Sequence, residues 1–363
     1  MSYKIISVVG ARPNFIKVAP IHLAFEKYDD IEHEICHTGQ HFDSHMSDVF
    51  FKELGLPEPH YYLGISGGSH AQQTAKIMTA FEEVLEEVRP DLVLVVGDVN
   101  STLACSLVAA KLDIKVAHVE AGLRSFDRTM PEEINRMVTD AISDWLFVTE
   151  ESGEINLLRE GKLKDQIFFT GNVMIDSLVR LQPKFETSAV LKELNLKQDH
   201  FVLCTFHRPA NVDSREFLEE LRNVLNVIAN KMPVVFPIHP RTRYNLETWE
   251  LMDGFSANVL LSEPIGYIDF LSLASKSTLI ITDSGGIQEE STFMGIQCIT
   301  VRDNTERPVT VDIGTNQLIG TNLFNVKEAA LGVLGGNVKA GSIPELWDGH
   351  AAERIAEIIH KMI

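Results

Sequence analysis

Short apolar runs rich in Val, Ile and Leu alternate with longer amphipathic stretches along almost the whole chain. Runs of this kind are typical of parallel strands buried on both faces, and the stretches between them have helical spacing. Strand–helix alternation at this rhythm predicts open parallel α/β sheets covered by helices and joined by right-handed crossovers. The predicted strands include Lys4–Val9, Leu92–Val96, Lys115–Val119, Phe201–Phe206, Val234–Ile238 and Leu279–Thr282, and two of the predicted helices are Ala71–Val88 and Ser214–Asn230.

The alternation is interrupted by a polar, lysine-rich stretch at 181–199, which separates two sets of predicted strands. A length of 363 residues corresponds to roughly two domains of ordinary size. We therefore predict two Rossmann-like, doubly wound domains at 1–172 and 173–349, with a last helix, about 350–363, that can pack back on the first. Because open parallel sheets bind ligands at the carboxyl ends of their strands, the active site is expected in a cleft between the domains.

The charge of the chain restricts the kinds of partner it can have. Lysine and arginine total 32 against 51 aspartates and glutamates, which gives a formal net charge of −19. Broad nucleic-acid or anionic-membrane binding needs a basic face, so we expect neither partner. A small anionic ligand stays possible, because a few arginines in a cleft reverse the local charge.

The four cysteines are far apart and form no C-x-x-C pair, which argues against a disulfide framework or a zinc knuckle. The apolar run at the start is too short for a signal peptide, and no run of apolar residues is long enough to span a membrane. We therefore expect a cytoplasmic protein without a metal site.

A glycine turn with two nearby cations follows the first predicted strand. Gly10 precedes a predicted helix start, and Arg12 and Lys17 add positive charge there. Free backbone N–H groups at a helix start, together with cations, suit a phosphate. The alternative is a plain strand–helix turn with surface cations.

A second turn, after the strand that ends at Thr282, is more specific. Ser284, Gly285 and Gly286 at a helix start let backbone amides approach an oxyanion closely. One turn further on, Glu290 is suited to hold the vicinal hydroxyls of a ribose. The chain contains neither G-x-G-x-x-G nor a P-loop, so the sequence predicts a nucleotide diphosphate site without a redox cofactor.

Carboxylates and histidines recur at other strand ends. Asp98 and Glu120 each follow a predicted strand, and Glu132 and Glu133 come after Pro131 at a predicted helix start. Acids at the binding edge are candidates for general acid–base catalysis, although Asp98 could instead cap a helix. His207 and His239 also follow strands, where each could contact a phosphate or be structural.

Two short matches to catalytic motifs are set aside. His33–His37 spells H-E-x-x-H, but its apolar and polar residues alternate, which predicts a strand and not the helix that a zinc site of this type needs. Gly64–Gly68 spells G-x-S-x-G, but its glycines favour a loop, and no triad partners follow in order.

Taken together, six short motifs resemble the non-hydrolysing UDP-N-acetylglucosamine (UDP-GlcNAc) 2-epimerases. The resemblance runs in order from residue 4 to about residue 355, and the ordered set is far more specific than any one motif. The hydrolysing epimerases differ at the first loop and at the His-Val-Glu-Ala-Gly segment. The motifs are Gly10–Pro13, Gly97–Ser101, His118–Arg124, Pro131–Arg136, Asp283–Gly286 and Arg302–Pro308.

This resemblance implies two domains of the glycosyltransferase-B type, a homodimer, no cofactor, and interconversion of UDP-GlcNAc and UDP-ManNAc for cell-surface polysaccharide precursors. The C2 proton of the sugar has no adjacent carbonyl, so its direct removal is prohibitive, and a transient ketone would need NAD. Elimination remains: UDP leaves C1 while a base removes the C2 proton, and UDP then adds back to 2-acetamidoglucal as a proton is delivered to the other face.

The resemblance also implies roles for individual residues. The family's catalytic positions correspond to Asp98, Glu120, Glu132 and His207, the last stabilising the departing diphosphate. Its substrate-binding positions correspond to Arg12, Lys17, Arg136, His239, Phe270, Ser284, Gly285, Gly286, Glu290 and Arg307, and a possible allosteric site to Gln40 and His41.

The chain departs from the family pattern in the loop after His207-Arg208. Pro209–Asp213 stands where many bacterial members carry a second arginine and a glutamate, and Val309 replaces a usual glutamate. In the family a second UDP-GlcNAc binds as an activator, and part of its site lies near this loop, so activation of this chain stays open.

The loop is closer to that of archaeal members and of a divergent branch of the family. That branch includes enzymes that act on UDP-2,3-diacetamido-2,3-dideoxy-glucuronic acid, which is the main alternative substrate. A UDP-sugar glycosyltransferase and a non-catalytic UDP-sugar sensor are the alternatives from other functional classes.

Overall fold

The computed structural model describes residues 2–39, 51 and 53–363. Its contacts divide the chain into two compact units, Met1–Arg180 with Glu345–Ile363, and Leu181–Pro344. The division falls inside a helix, Val173–Glu186, whose beginning is the boundary expected from the sequence.

The first unit is built on a seven-stranded parallel sheet with the order β3-β2-β1-β4-β5-β6-β7. Its strands are β1 Tyr3–Val9, β2 Ile31–His37, β3 Tyr61–Tyr62, β4 Leu92–Val96, β5 Lys115–Val119, β6 Trp145–Val148 and β7 Ile167–Phe169. The helices whose bounds lie within the described residues are, up to the boundary, α1 Arg12–Phe25, α2 His70–Val88, α3 Asn100–Lys111, α4 Pro131–Ile142, α5 Glu151–Arg159 and α6 Val173–Glu186, with a 3₁₀ turn at Lys164–Gln166.

The second unit is built on a six-stranded parallel sheet with the order β10-β9-β8-β11-β12-β13. Its strands are β8 Val202–Thr205, β9 Val234–Pro237, β10 Val259–Ser262, β11 Leu279–Thr282, β12 Gln297–Thr300 and β13 Asn316–Leu318. Its helices are α7 Val190–Glu193, α8 Pro209–Val212, α9 Arg215–Ala229, α10 Pro240–Thr248, α11 Tyr267–Ser275, α12 Gly285–Met294, α13 Pro308–Asp312 and α14 Leu323–Leu334, with a 3₁₀ turn at Met252–Gly254.

The last helix, α15 (Ala351–Met362), belongs to the first unit. The Asp176 carboxylate accepts hydrogen bonds from the backbone N–H groups of Ala351 and Ala352, which satisfies donors that a helix start leaves open. Just before the helix, the indole of buried Trp347 donates to the carbonyl oxygen of Thr149 at 2.9 Å. The chain therefore returns to the first unit at its end.

Both sheets reverse their strand order at one point, and the predicted doubly wound α/β class is confirmed. In the first sheet the reversal lies between β1 and β4, and in the second it lies between β8 and β11. Loops that leave two neighbouring strands in opposite directions open a crevice there, at the carboxyl ends of the strands. Half of the sixteen candidate site residues follow these strands: Arg12, Lys17, Asp98, His207, Ser284, Gly285, Gly286 and Glu290.

Local sequence explains why the elements form. Every residue of β4 is buried, as expected for a central parallel strand. The helix α9 is capped by Ser214, whose hydroxyl accepts from the backbone N–H of Phe217, and one face of the helix is apolar and buried. His33–His37 lies in β2, so the prediction of a strand at the H-E-x-x-H match is confirmed. Among the helices of the described residues, none is both long and apolar enough to cross a bilayer.

Candidate functional site

In the first unit, Glu120 lies in the turn that ends β5, in an unusual backbone conformation. Its φ of +74° is in the left-handed region, which costs a residue with a Cβ of the order of 1–3 kcal/mol. The buried Glu120 carboxylate pairs with the buried Lys17 ammonium, which comes from α1. Such strain persists where the surrounding structure holds it, and it is common at active sites.

Gly97, at the end of β4, leaves room for that ion pair. Its φ is +67°, and a Cβ on it would lie 3.2 Å from Lys17 Nζ and 3.7 Å from Glu120 Oε2. The Asn14 side chain ties the neighbouring loop to the same place: its amide nitrogen donates to the carbonyl oxygen of Val96, and its Oδ1 accepts from the backbone N–H of Gly10. The ends of β1, β4 and β5 therefore meet around one buried ion pair.

Arg136 connects the second candidate acid to the helix α4. Its buried guanidinium pairs with the Asp98 carboxylate, whose side chain is 26% exposed, and with Glu133 Oε2 at 2.7 Å. The buried Glu133 carboxylate also accepts from the backbone N–H groups of Ser125 and Phe126. Burial alone would raise the pKa of Glu133, but the Ser125 N–H and the Arg136 charge outweigh it and lower that pKa. Glu133 is thus an ionised anchor for Arg136.

Glu132, the neighbour of that anchor, is placed differently. It lies in the first turn of α4 and is partly exposed, and its carboxylate receives no hydrogen bond or ion pair from any residue that the structure describes. A partly exposed carboxylate of this kind can reach a ligand. Arg12 is likewise exposed, in the first turn of α1.

In the second unit, a buried carboxylate holds the histidine that follows β8. Asp283 Oδ1 lies 3.0 Å from His207 Nδ1, and the carboxylate also accepts from the backbone N–H groups of His207 and Arg208 and from the Asn211 amide. Burial would raise the pKa of Asp283, but the His207 hydrogen bond and charge lower it. Since Nδ1 must donate to this carboxylate, Nε2 is the ring nitrogen left for a ligand, and the side chain is 45% exposed. The ring of His239 lies 6.1 Å from that of His207.

The helix α12 begins directly after Asp283, so the amides of the Ser284–Gly286 turn lie at a helix N-terminus. A Cβ on Gly285 would lie 2.8 Å from Arg307 Nη1 and 2.9 Å from Glu306 Oε1, so glycine lets the turn pack closely against this buried pair. Arg307 pairs with Glu306 and, through Nε, with Glu289 Oε1 at 2.9 Å. A fixed guanidinium beside helix-terminal amides is suited to bind a phosphate.

Glu290 lies on the same helix and is buried. Its Oε1 accepts a hydrogen bond of 2.7 Å from the hydroxyl of Tyr267, at the start of α11. Burial, with a smaller effect from neighbouring Glu289, raises the pKa of Glu290 from 4.5 to about 7. Phe270, one turn along α11, is partly buried against the apolar cluster beside this helix.

We expect the stability of the protein to depend on pH through Glu290. Between its ordinary pKa of 4.5 and its native pKa of about 7, the folded state holds a proton that the unfolded state releases. The contribution is therefore complete at low pH and is lost as the pH rises through about 7. Relative to Glu290→Gln, the free energy of unfolding of the wild type should fall by on the order of 2–3 kcal/mol from about pH 5 to about pH 8. Urea unfolding of both proteins measures this, and parallel pH profiles would contradict it.

The structure thus gathers the sequence-predicted residues into two groups. The first unit holds Arg12, Lys17, Asp98, Glu120, Glu132 and Arg136, and the second holds His207, His239, Phe270, Ser284, Gly285, Gly286, Glu290 and Arg307. Gln40 and His41 lie outside the residues that the structure describes.

Three further residues shape these groups: Asn14 and Tyr267 were not among the candidates, and Glu133 was named only as an acid beside Glu132. Asn14, Glu133 and Tyr267 contact Val96, Arg136 and Glu290, respectively. The sequence does contain one signal for Glu133, since it adjoins Glu132 at the start of an amphipathic helix. It contains none for Tyr267, whose partner is 23 residues away.

The comparisons with known proteins agree on one family. A family model described as UDP-N-acetylglucosamine 2-epimerase matches residues 23–360. The UDP-N-acetylglucosamine 2-epimerase of Methanocaldococcus jannaschii is 43% identical, over 98% of each chain. The UDP-2,3-diacetamido-2,3-dideoxy-D-glucuronate 2-epimerase of Pseudomonas aeruginosa is 41% identical, over 99% of this chain and 100% of that one.

A solved structure extends the likeness to three dimensions. The crystal structure of the M. jannaschii UDP-GlcNAc 2-epimerase in complex with UDP-GlcNAc and UDP superposes with a TM-score of 0.90 at 42% identity, and 99% of each chain is covered.

Proposed function

Because the chain belongs to the UDP-N-acetylglucosamine 2-epimerase family, we propose that it interconverts UDP-GlcNAc and UDP-ManNAc. The observation that carries this proposal is the pairing of two half-sites on one chain. One half-site holds three carboxylates at the carboxyl edge of its sheet, and the other holds helix-terminal amides beside a fixed arginine. The likeness to an enzyme solved with UDP-GlcNAc and UDP supports the same substrate. That both half-sites act on one nucleotide sugar stays a prediction from the sequence.

In this proposal the second unit binds the UDP part of the substrate. The N–H groups at the start of α12 and the guanidinium of Arg307 receive the diphosphate, and Glu290 accepts hydrogen bonds from the ribose hydroxyls. His207, with Nδ1 held by Asp283, presents Nε2. This nitrogen is placed to donate a hydrogen bond to the diphosphate oxygen on which charge develops as the C1–O bond breaks.

The first unit supplies the acid–base groups. Asp98, Glu120 and Glu132 are the candidates that remove a proton from C2 and return one to the opposite face. Removing the C2 proton as UDP departs gives 2-acetamidoglucal, and adding UDP back at C1 with protonation of C2 completes the epimerisation. No redox step is involved, because the electron pair of the C2–H bond forms the C1–C2 double bond while that of the C1–O bond leaves with UDP.

One assay tests this function and separates it from the alternatives. The protein is incubated with UDP-GlcNAc in D₂O, and the sugar is followed by NMR. We expect UDP-ManNAc to appear with solvent deuterium at C2. If the protein leaves UDP-GlcNAc unchanged but turns over UDP-2,3-diacetamido-2,3-dideoxy-glucuronic acid, its substrate is that of the P. aeruginosa relative.

Two further outcomes belong to other functional classes. Transfer of the sugar to an added acceptor, with release of UDP, would show a glycosyltransferase. Binding without any turnover would show a sensor.

The assembly and location of the enzyme are also proposals. The resemblance to the family implies a homodimer, which sedimentation of the purified protein tests directly. The dispersed cysteines predict a reducing compartment, and we propose that the enzyme works in the cytoplasm.

A further inference from the structure

A buried ionic cluster lies beneath the candidate acids of the first unit. It consists of Asp140, His118 and Arg124, all of which are buried. Asp140 Oδ1 lies 2.6 Å from His118 Nδ1, and Asp140 Oδ2 lies 2.7 Å from Arg124 Nη1. The same Oδ2 accepts a hydrogen bond of 3.0 Å from the backbone N–H of Gly122. We call these three side chains the Asp140 cluster.

The contacts of His118 place its ring between two acceptors. Its Nε2 lies 2.8 Å from the carbonyl oxygen of Gly97, which can only accept, so Nε2 carries a proton. Its Nδ1 faces the Asp140 carboxylate. Burial would raise the pKa of Asp140, but the charges and hydrogen bonds of His118 and Arg124 lower it. The His118 ring therefore joins the carbonyl oxygen of Gly97 to the Asp140 carboxylate.

Through these contacts, one carboxylate fastens two loops that carry candidate catalytic acids. Gly97, held by His118, immediately precedes Asp98. Gly122, held by Asp140 itself, is two residues beyond Glu120. The backbone at Gly97, Glu120 and Gly122 has positive φ angles of +67°, +74° and +78°. The two glycines adopt such angles without strain, whereas Glu120 between them needs support from its surroundings, and the cluster holds the backbone on both sides of it.

The helix α4 adds a second fastening to the same two loops. Glu132, Arg136 and Asp140 follow one another at intervals of four residues, so they lie along one face of this helix. Glu132 is a candidate acid, Arg136 pairs with Asp98, and Asp140 holds His118 and Gly122. One rigid element therefore sets the positions of all three carboxylates.

We propose that Asp140 and His118 are positioning residues that fix the separation of Asp98 and Glu120. The inference rests on the proposed function, because epimerisation is the reaction that requires these two acids at a fixed distance from each other. Neither residue needs to touch the substrate. Their effect falls on the step in which a proton returns to C2, since a displaced acid slows that step while UDP and 2-acetamidoglucal can still dissociate.

The experiment compares Asp140→Asn with the wild type in the UDP-GlcNAc assay. We expect kcat to fall about 10- to 100-fold, since small displacements of reacting groups have effects of this size. The KM for UDP-GlcNAc and the Kd for UDP should change little. The fraction of turnovers that release free 2-acetamidoglucal should rise, which loss of folded protein alone would not cause.

The matched control is Asp144→Asn. Asp144 pairs with Lys115 and accepts from the backbone N–H of Val116, at the opposite end of β5 from Glu120. This variant makes the same chemical change away from the candidate acids, and it should keep the wild-type kcat and the wild-type release of 2-acetamidoglucal.

A second variant, His118→Gln, keeps the test decisive if Asp140→Asn folds poorly. Its amide can still donate to the carbonyl oxygen of Gly97, but the ring that joins this oxygen to the Asp140 carboxylate is lost, so kcat should fall and release of 2-acetamidoglucal should rise. Wild-type kcat and wild-type release in the folded fraction of either variant would overturn the inference. If the wild type itself fails to turn over UDP-GlcNAc, the proposed function fails instead.

Discussion

Replacing Glu120 with glutamine is expected to lower kcat by about 10²- to 10⁴-fold, the usual contribution of a positioned acid–base group. The amide keeps the shape of the side chain but cannot accept and return a proton. UDP should bind with nearly unchanged affinity, because its proposed contacts lie in the second unit. Initial rates of UDP-ManNAc formation and calorimetric titration with UDP measure the two effects separately.

The Glu120→Gln variant also removes the anion that pairs with the buried Lys17. Some loss of stability is therefore expected, and the double variant Lys17→Met/Glu120→Gln should recover stability but not kcat. Glu151→Gln, on the exposed start of α5, is the control that leaves the site untouched. Near-normal kcat in Glu120→Gln, Asp98→Asn and Glu132→Gln alike would show that the acid–base assignment is wrong.

Replacing Arg136 with methionine is expected to have the largest effect on stability, a loss of about 3 kcal/mol in the free energy of unfolding. Arg136 is 2% exposed and pairs with Glu133, which is 1% exposed, and with Asp98. Methionine fills much of the volume, but it leaves the Glu133 charge in the interior without its cation. Removing one member of a buried pair generally costs more than the pair itself contributes.

Urea unfolding measures this loss, with Arg159→Met as the control, since Arg159 ends α5 at an exposed position. The double variant Arg136→Met/Glu133→Gln should regain part of the stability, because the stranded charge is removed as well. A change of less than about 0.5 kcal/mol in Arg136→Met, the range of ordinary surface substitutions, would contradict the assignment.

The sheets could be predicted from the sequence because their strands are short, apolar and buried on both faces. Leu92–Val96, Lys115–Val119 and Leu279–Thr282 are strands with the predicted ends. Because open parallel sheets bind ligands at the carboxyl ends of their strands, the fold also predicts candidate site residues just after these strands, where Asp98, Glu120 and Ser284 lie. Periodicity reports local burial, and in a parallel α/β fold local burial largely determines the strands.

The pairing of charges could not be predicted in the same way. Arg136 and Asp98 are 38 residues apart, and His118 and Asp140 are 22 apart. Such pairs depend on the exact rotation of a helix about its axis relative to the sheet. Hydrophobic periodicity predicts which face of the helix is buried, but not that rotation. For the same reason the sequence did not separate Glu132, which is partly exposed, from Glu133, which is buried and anchors Arg136.

The even spacing of Glu132, Arg136 and Asp140 on α4 restricts how this segment can change in length. Inserting or deleting one residue between positions 132 and 140 would rotate one end of the helix by about 100° relative to the other. Arg136 or Asp140 would then face away from the strand ends. The residue that takes its position on the helix would be neither a cation in place of Arg136 nor a carboxylate in place of Asp140. We therefore expect insertions and deletions to be accepted in the loops around α4 but not within it, so that an alignment gap inside this helix would mark a chain that has lost the reaction.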